Sequence, residues 1–300
     1  MNTPAPQFEE HFVNGSVWQL FKGANPYTFT DTYKVLRNLF GYELNYVNYG
    51  YWPEGIETNE PGRKLTHLLV DKLNPKPGQR LIEAGSGLGQ AAVDSCEHYD
   101  LDKVFGMNMC EPQVAFANAL SASMGLQDKV VHKVCNACEE VKLFEPGSFD
   151  HAFAQECIGH FPDPLSYLKG IRRLLTPGGR MAITVVTSPK PPGRGLAFAE
   201  NLFFGCVPEN ASYWSELFEE AGFINVESQD ITDVVFTPLF KAVRKKIIEN
   251  PESIQFQGPI GKLALKFLLT QSEKGIANQT MGYQIIVGET PMIKQNEESH

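Results

Sequence analysis

Three glycines at alternate positions, Gly85, Gly87 and Gly89, follow an apolar segment that contains Glu83 near its end. Glycine allows the backbone to turn with positive φ, and it brings main-chain N–H groups close to a ligand because it has no Cβ. The dinucleotide-binding pattern is G-x-G-x-x-G, whereas this segment reads G-x-G-x-G and has Gln90 at the last position of that pattern. The spacing predicts a ligand-binding turn that suits a pyrophosphate poorly; a turn with a purely structural role is the alternative.

A second group of polar residues, Gln155, Glu156 and His160, lies where another apolar segment ends. An imidazole has an unperturbed pKa near 6.5, so His160 could remove a proton from a hydroxyl group at neutral pH. Glu156 could orient that imidazole, or it could stabilise a positive charge on a substrate. The structural alternatives are a histidine at a helix cap and an acid in a buried salt bridge. We take His160 and Glu156 as the candidate catalytic residues.

The elements that must position these groups alternate between strand and helix. Apolar runs predict strands over 80–84, 103–107, 129–135, 149–155, 180–186, 224–230 and 282–288, and amphipathic stretches predict helices over 63–73, 88–98, 111–124, 164–175, 213–223, 234–249 and 260–274. Such alternation is typical of βαβ units and a parallel sheet, which binds ligands at the carboxyl ends of its strands. We therefore predict an α/β fold with a Rossmann-like, seven-stranded, doubly wound sheet and helical cover at both termini.

The order of these segments predicts four regions. Residues 1–62 form a helical, aromatic N-terminal cap, residues 63–190 the ligand-binding core, residues 191–290 a lid with the last strands and an inserted helical cover, and residues 291–300 a polar tail. The cap is rich in aromatic residues, which either pack it onto the core or roof a pocket: Phe8, Phe12, Trp18, Phe21, Tyr27, Phe29, Tyr33 and Phe40.

Composition excludes several classes of function. The chain has 300 residues, 42% of them hydrophobic and 20% charged, with a formal net charge of −9. An acidic chain with a single short basic cluster does not indicate nucleic-acid binding. No apolar run approaches the roughly 20 residues of a membrane span, and the N-terminus does not resemble a signal peptide. We expect a cytoplasmic enzyme with a small-molecule substrate, and a homodimer is left open.

The six cysteines indicate neither a disulfide framework nor a metal site. Cys135 and Cys138 form a C-x-x-C pattern, but no second pair and no His-x-x-x-His accompanies it. A structural zinc site needs about four such ligands. We therefore predict reduced thiols and no bound metal.

From about residue 45 to 230, the sequence resembles the class I S-adenosylmethionine (SAM)-dependent methyltransferases, in particular the branch that acts on lipids, polyketides, sterols and other natural products. The resemblance rests on five motifs: Asn48-Tyr49-Gly50-Tyr51-Trp52, Glu83-Ala84-Gly85-Ser86-Gly87-Leu88-Gly89, Gly106-Met107-Asn108-Met109-Cys110 with Gln113, Asn136-Ala137, and Leu174-Leu175-Thr176-Pro177-Gly178-Gly179. The N-terminal aromatic stretch and Met281-Gly282-Tyr283 are also similar to mycobacterial glycolipid and fatty-acyl methyltransferases.

The resemblance implies roles for individual residues. Glu83 and the turn formed by Gly85, Ser86, Gly87 and Gly89 would hold the methionine end of SAM. Asn108 stands where the family commonly has an acid that binds the ribose, so it can accept and donate hydrogen bonds but lacks the charge. The other residues implied in cofactor binding are Met109, Gln113, Asn136, Ala137, Gln155, Asn48 and Tyr51.

The same resemblance implies where the acceptor binds. Trp52 and Trp214 are the candidate substrate contacts, although Trp214 could simply anchor its helix to the sheet. The segment after the fifth predicted strand usually determines acceptor specificity in the family. Besides Trp214 it contains the aromatic residues Phe198, Phe203, Phe204 and Tyr213.

The sequence thus predicts a SAM-dependent methyltransferase that acts on a small or medium hydrophobic, lipid-like or polyketide-like acceptor. Oxygen is the favoured acceptor atom, because His160 can serve as the base. The alternatives are carbon methylation of an alkene or prenyl compound with Glu156 as cation stabiliser, and a module that binds SAM without turnover.

Overall fold

A seven-stranded sheet flanked by helices forms the fold in the computed structural model, which describes residues 45–190, 208–249 and 259–292. The strands are β1 (Arg80–Ala84), β2 (Lys103–Asn108), β3 (Val130–Val134), β4 (Phe149–Gln155), β5 (Leu175–Thr187), β6 (Ile224–Asp230) and β7 (Gly282–Glu289). The helices are α1 (Pro61–Asp71), α2 (Gln90–His98), α3 (Glu111–Ser123), α4 (Ala137–Glu140), α5 (Pro164–Leu174), α6 (Ala211–Glu220), α7 (Thr232–Glu249) and α8 (Pro259–Ala277). Two 3₁₀ turns, Gly55–Glu57 and Ile158–His160, complete them.

The strand order is β3-β2-β1-β4-β5-β7-β6, which confirms the predicted doubly wound sheet. The pairs among β1 to β5 are parallel, whereas β7 lies antiparallel to both β5 and β6. The sequence pattern indicated parallel βαβ units and did not indicate the antiparallel direction of β7. The order changes direction between β1 and β4, and the carboxyl ends of parallel strands open a crevice at such a switch point.

Local sequence explains where several helices begin. Helix α1 starts with Pro61, whose missing N–H costs nothing in the first turn. Helix α5 starts after Asp163, whose carboxylate accepts a hydrogen bond of 2.9 Å from the N–H of Ser166. Asn210 caps α6 in the same way, with 2.8 Å to the N–H of Tyr213. These side chains satisfy N–H groups that have no partner inside the helix.

Strand β5 begins earlier than predicted. Its first pair is Leu175 with Phe149, and after a register shift Arg180 pairs with His151. The intervening Thr-Pro-Gly-Gly segment, which follows the helix predicted over 164–175, is therefore part of the strand. A Cβ at Gly179 would lie 2.5 Å from the carbonyl oxygen of Asp150, so glycine is needed where the two chains approach at this irregularity.

Two clusters of buried apolar side chains cover the sheet. One joins residues of α1, α2, α3 and α7, such as Leu65, Ala92, Leu120 and Phe236. The other joins residues of α4, α5 and α6, such as Cys138, Tyr167 and Phe218. This division places helices on both sides of the sheet, as a doubly wound fold requires.

Several predictions concern residues outside the described part of the chain. They include the aromatic side chains between Phe8 and Phe40, the side chains of Phe198, Phe203 and Phe204, and the polar tail. The four predicted regions stay a prediction. None of the helices within 45–190, 208–249 and 259–292 has the length and apolar character that crossing a membrane requires.

Candidate active site

The glycine turn joins β1 to α2 at the switch point. Gly85, Gly87 and Gly89 have φ angles of 68°, 51° and 80°, which are in the left-handed region. A Cβ at Gly85 would lie 2.6 Å from the Cβ of Cys157, so a side chain has no room there. A Cβ at Gly87 would meet only the carbonyl oxygen of Gly85, at 3.9 Å. The backbone at Gly87 is therefore open to an approaching ligand.

Two N–H groups of this turn are available to a ligand. The N–H of Ser86 donates to the carbonyl of Met107 at 3.0 Å, and that of Gly89 donates to the carbonyl of Ser86 at 2.8 Å. Within the described residues, the N–H groups of Gly87 and Leu88 have no acceptor. Adjacent N–H groups at the start of a helix bind an anionic group well.

Glu83 presents a buried carboxyl group beside the turn. Its side chain is 2% exposed, and Oε2 has no hydrogen-bond partner among the described residues. Burial raises the pKa of this carboxyl group to about 8. A buried acid without a partner is costly in free energy, and an ammonium group would remove that cost. Such a carboxyl group fits a ligand that carries an amino group.

The end of β2 holds a neutral polar pair. The amide of Asn108 donates to Oε1 of Gln113 at 2.8 Å and to the carbonyl of Gly87 at 3.3 Å. Its Oδ1 accepts a hydrogen bond of 3.4 Å from the N–H of Cys110. The structure therefore brings Asn108 and Gln113 together and joins both to the glycine turn.

A polar cap and exposed apolar side chains lie at the ends of β2 and β3. Oδ1 of Asn136 accepts from the N–H of Cys138 at 3.0 Å and caps α4, in which Ala137 is buried. Met109 is 53% exposed, and Val134, which pairs with Asn108, is 46% exposed. Apolar surface is therefore available beside the polar pair.

At the end of β4, Gln155 and Glu156 bind different parts of the chain. Oε1 of Gln155 accepts from the hydroxyl of Thr66 at 2.9 Å, whereas its Nε2 is buried without a partner in the described structure. Oε1 of Glu156 accepts from the N–H of Tyr49 at 2.9 Å and from the hydroxyl of Tyr283 at 2.5 Å. Burial raises the pKa of Glu156 to about 8. Its φ of 56° is in the left-handed region.

The segment after β4 packs directly against the glycine turn. The thiol of Cys157 donates to the carbonyl of Ala84 at 3.2 Å, and its Cβ lies over Gly85. His160 ends the following 3₁₀ turn and is exposed at the surface. Protein atoms around the imidazole partly remove it from water, and this desolvation lowers its pKa. The imidazole is therefore neutral at neutral pH and can accept a proton.

The segment before α1 is fixed by hydrogen bonds. Asn48 is 4% exposed; its amide donates to the carbonyl of Gly62 at 3.0 Å and its Oδ1 accepts from the N–H of Gly50 at 3.0 Å. The N–H of Tyr51 donates to the carbonyl of Pro61 at 2.9 Å. The side chain of Asn48 therefore bonds to backbone groups of Gly62 and Gly50.

The two tryptophans predicted to contact substrate lie apart. Trp52 is 5% exposed, and its indole donates to the carbonyl of Tyr49 at 2.9 Å. Trp214 is 3% exposed, and its indole N–H has no hydrogen-bond partner among the described residues. They belong to different buried clusters. The structure does not bring Trp52 and Trp214 together.

Sequence reasoning did not identify Tyr49 and Tyr283 as partners of Glu156. Tyr49 lies within a motif that was singled out, but Tyr283 is 127 residues from Glu156. Nothing in local spacing indicates that contact, which only the packing of β7 beside β5 produces.

Comparisons with known proteins agree with this geometry. Residues 82–183 match the family model described as a methyltransferase domain. The chain is 28% identical over 249 residues to O-methyltransferase resE of Aspergillus sclerotiorum, covering 81% of this chain and 89% of that protein. It is 27% identical over 248 residues to 27-O-demethylrifamycin SV methyltransferase of Amycolatopsis mediterranei, covering 76% and 86%.

A solved structure shows the same fold. It is that of Haemonchus contortus phosphoethanolamine N-methyltransferase 2 in complex with phosphomonomethylethanolamine and S-adenosylhomocysteine (SAH), with a TM-score of 0.73 and 21% identity. The match covers 90% of this chain and 61% of that longer chain. The domain match, the named relatives and this shared fold together support a class I SAM-dependent methyltransferase.

Proposed function

We propose that this enzyme transfers a methyl group from SAM to a hydroxyl oxygen of a small or medium hydrophobic, lipid-like or polyketide-like acceptor. The observation that carries the proposal is the contact of Cys157 with Gly85, because it places the segment of Glu156 and His160 beside the glycine turn. The names of the two curated relatives, each of which refers to methylation of oxygen, support the choice of acceptor atom.

The residues of the turn fit the amino-acid end of SAM. The carboxyl group of Glu83, whose Oε2 has no partner within the described residues, would accept from the α-amino group. The N–H groups of Gly87 and Leu88 would donate to the α-carboxylate. The hydroxyl of Ser86 lies 3.0 Å from Nδ1 of His132, so we now propose a supporting role for Ser86.

The ends of β2 and β3 fit the nucleoside. Asn108 and Gln113 would bind the ribose hydroxyls as a neutral pair, and Asn136 would bind the adenine with its amide group, because its Oδ1 is already used in the cap. Met109 would cover the base with its exposed apolar side chain. The other residues proposed to surround the cofactor are Ala137, Gln155, Asn48 and Tyr51.

When bound, SAM supplies an electrophilic methyl group on a sulfonium leaving group. The protein must align the acceptor and exclude water. We propose that the neutral imidazole of His160 takes the proton of the acceptor hydroxyl as the new carbon–oxygen bond forms. Glu156 holds Tyr49, and with it the segment before α1, against the end of β4. Trp52 then acts through packing, and Trp214 stays a proposed acceptor contact.

A specific observation favours carbon methylation as the second candidate. The ring of Tyr49 packs edge-on against Phe236 and Tyr283, with centroid distances of 5.3 and 5.9 Å, beside the carboxyl group of Glu156. Aromatic faces stabilise a cation, and so does the carboxyl group of Glu156 once it has lost its proton. In that reaction Glu156, and not His160, would be the essential group.

One experiment separates the two candidates. The purified enzyme is incubated with isotopically labelled SAM and a hydrophobic extract, and the labelled product is analysed for an O-methyl or a C-methyl group. Single-turnover rates of His160→Ala and Glu156→Gln are then compared with those of His98→Ala, which changes an exposed histidine elsewhere. Oxygen methylation predicts a loss of about 100-fold or more for His160→Ala alone. An unchanged rate in that variant would remove His160 as the base.

A further inference from the structure

A buried histidine lies behind the glycine turn. His132 is on β3, at the edge of the sheet, and is 4% exposed. The side chain of Asn118 on α3 accepts from the N–H of His132 and donates to its carbonyl, both at 2.9 Å. These two hydrogen bonds satisfy backbone groups that have no neighbouring strand on that side. The backbone of His132 is therefore held in place by Asn118, independently of the contacts of its own side chain.

The imidazole fills space that two glycines leave. A Cβ at Gly106 would lie 2.2 Å from Nδ1 of His132, and a Cβ at Gly89 would lie 2.9 Å from Nε2. Neither distance is compatible with a real side chain, so the ring occupies space that requires glycine at position 106. At Gly89 the ring adds to a closer contact, since a Cβ there would lie 2.6 Å from the Cβ of Ala117. Burial lowers the pKa of the imidazole to about 4, which keeps it neutral at neutral pH.

The polar contact of the ring is with the turn itself. Nδ1 lies 3.0 Å from the hydroxyl oxygen of Ser86, and Nε2 has no partner within the described residues. Ser86 is 5% exposed, and its N–H is also bonded, to Met107. Ser86 is thus held at both its backbone and its side chain. It immediately precedes the N–H groups of Gly87 and Leu88, which have no acceptor among the described residues.

We propose that His132 is a positioning residue for methyl transfer: its imidazole, wedged between Gly89 and Gly106 and bonded to Ser86, holds the glycine turn in the shape that receives SAM. The inference rests on the proposed binding of SAM at this turn. In this proposal the hydroxyl of Ser86 serves to bond the turn to His132. It also gives a reason for the glycine at position 106.

The test uses variants that differ in this one hydrogen bond. Ser86→Ala removes the hydroxyl, His132→Leu removes the ring nitrogens but keeps apolar bulk, and His132→Asn restores a polar group near the position of Nδ1. Ser121→Ala is the matched control, because that buried hydroxyl bonds only the carbonyl of Ala117 in its own helix, at 3.0 Å. SAH affinity by calorimetry, kcat, KM for SAM and Tm are measured for each variant.

A net hydrogen bond of ordinary strength corresponds to an affinity change of up to about tenfold. We expect Ser86→Ala and His132→Leu each to weaken SAH binding and raise KM for SAM about five- to tenfold, with kcat within about twofold. The double variant should be no weaker than the worse single variant, because both remove the same contact. His132→Asn should recover part of the affinity.

The outcomes distinguish a failure of the proposed function from a failure of this inference. If the unmodified enzyme does not bind SAH, the proposed function fails first. If it binds SAH and Ser86→Ala binds equally well, with a fall in Tm like that of Ser121→Ala, the role of His132 is only structural and the inference is overturned. Should His132→Leu fail to fold, Ser86→Ala still decides, because it removes a single oxygen atom.

Discussion

Binding of the cofactor should change the number of protons on the protein, and Glu83 is the reason. Its buried carboxyl group has a pKa of about 8 and no partner at Oε2 among the described residues. The ligand brings an α-amino group whose pKa lies above the value near 8 of a peptide amino terminus, because its own carboxylate is adjacent. When the two groups meet, they hold one proton between them, whether it resides on the nitrogen or on the oxygen.

The magnitude follows from these two pKa values. At pH 7 the carboxyl group of Glu83 is about nine-tenths protonated and the amino group is almost fully protonated, so formation of the complex releases about 0.9 proton. At pH 9 the carboxyl group is only about one-tenth protonated, so the release disappears and gives way to proton uptake as the pH rises. The sign therefore reverses above pH 8, and SAH binds most tightly at the pH of that reversal.

Isothermal titration calorimetry of SAH in buffers of different ionisation enthalpy measures this number directly. The slope of the observed enthalpy against the ionisation enthalpy of the buffer gives the protons exchanged. Glu83→Gln should reduce the release at pH 7 to nearly zero, whereas Glu156→Gln, which changes a second acid with a raised pKa, should leave it unchanged. No proton release at pH 7 in the unmodified enzyme, with SAH bound, would refute the pairing of Glu83 with the amino group.

Two further changes test the packing around the site. Tyr283→Phe removes a hydrogen bond that lowers the pKa of Glu156, so the pKa of that carboxyl group should rise further. NMR titration of protein labelled with ¹³C at the glutamate carboxyl carbon measures this pKa. An unchanged value would contradict the contact. Gly106→Ala places a methyl group against the ring of His132 and should lower the free energy of unfolding by about 1–3 kcal/mol. Adding His132→Ala should restore part of that loss in urea denaturation; a double variant less stable than the sum of both changes would argue against the clash.

Local pattern was sufficient for most of the elements. The predicted bounds of β4 and β6 agree with the structure at both ends, and β1 agrees as well. The alternation of strands and helices, which is a short-range property, also predicted the doubly wound sheet. The glycine turn was found for the same reason, since positive φ at three alternate positions is specified by the glycines themselves.

Long-range packing decided the remainder of the fold. The direction of β7 and its place between β5 and β6 depend on contacts with distant strands. The early start of β5 depends on its pairing with Phe149 across an irregular register. Neither contact changes the periodicity of the residues concerned, so the sequence pattern could not indicate them.

The amino-acid sequence by itself indicated the likeness to the methyltransferases, the turn and the acid that precedes it, because those features are encoded in neighbouring residues. Only the tertiary structure decided which side chains meet. It brings Tyr283 into contact with Glu156 and His132 into contact with Ser86, and it places Trp52 and Trp214 in different buried clusters. The reason is physical. A hydrogen bond between residues far apart in the chain exists only after the sheet and helices have packed, and a buried polar group then takes whatever partner that packing brings within about 3 Å.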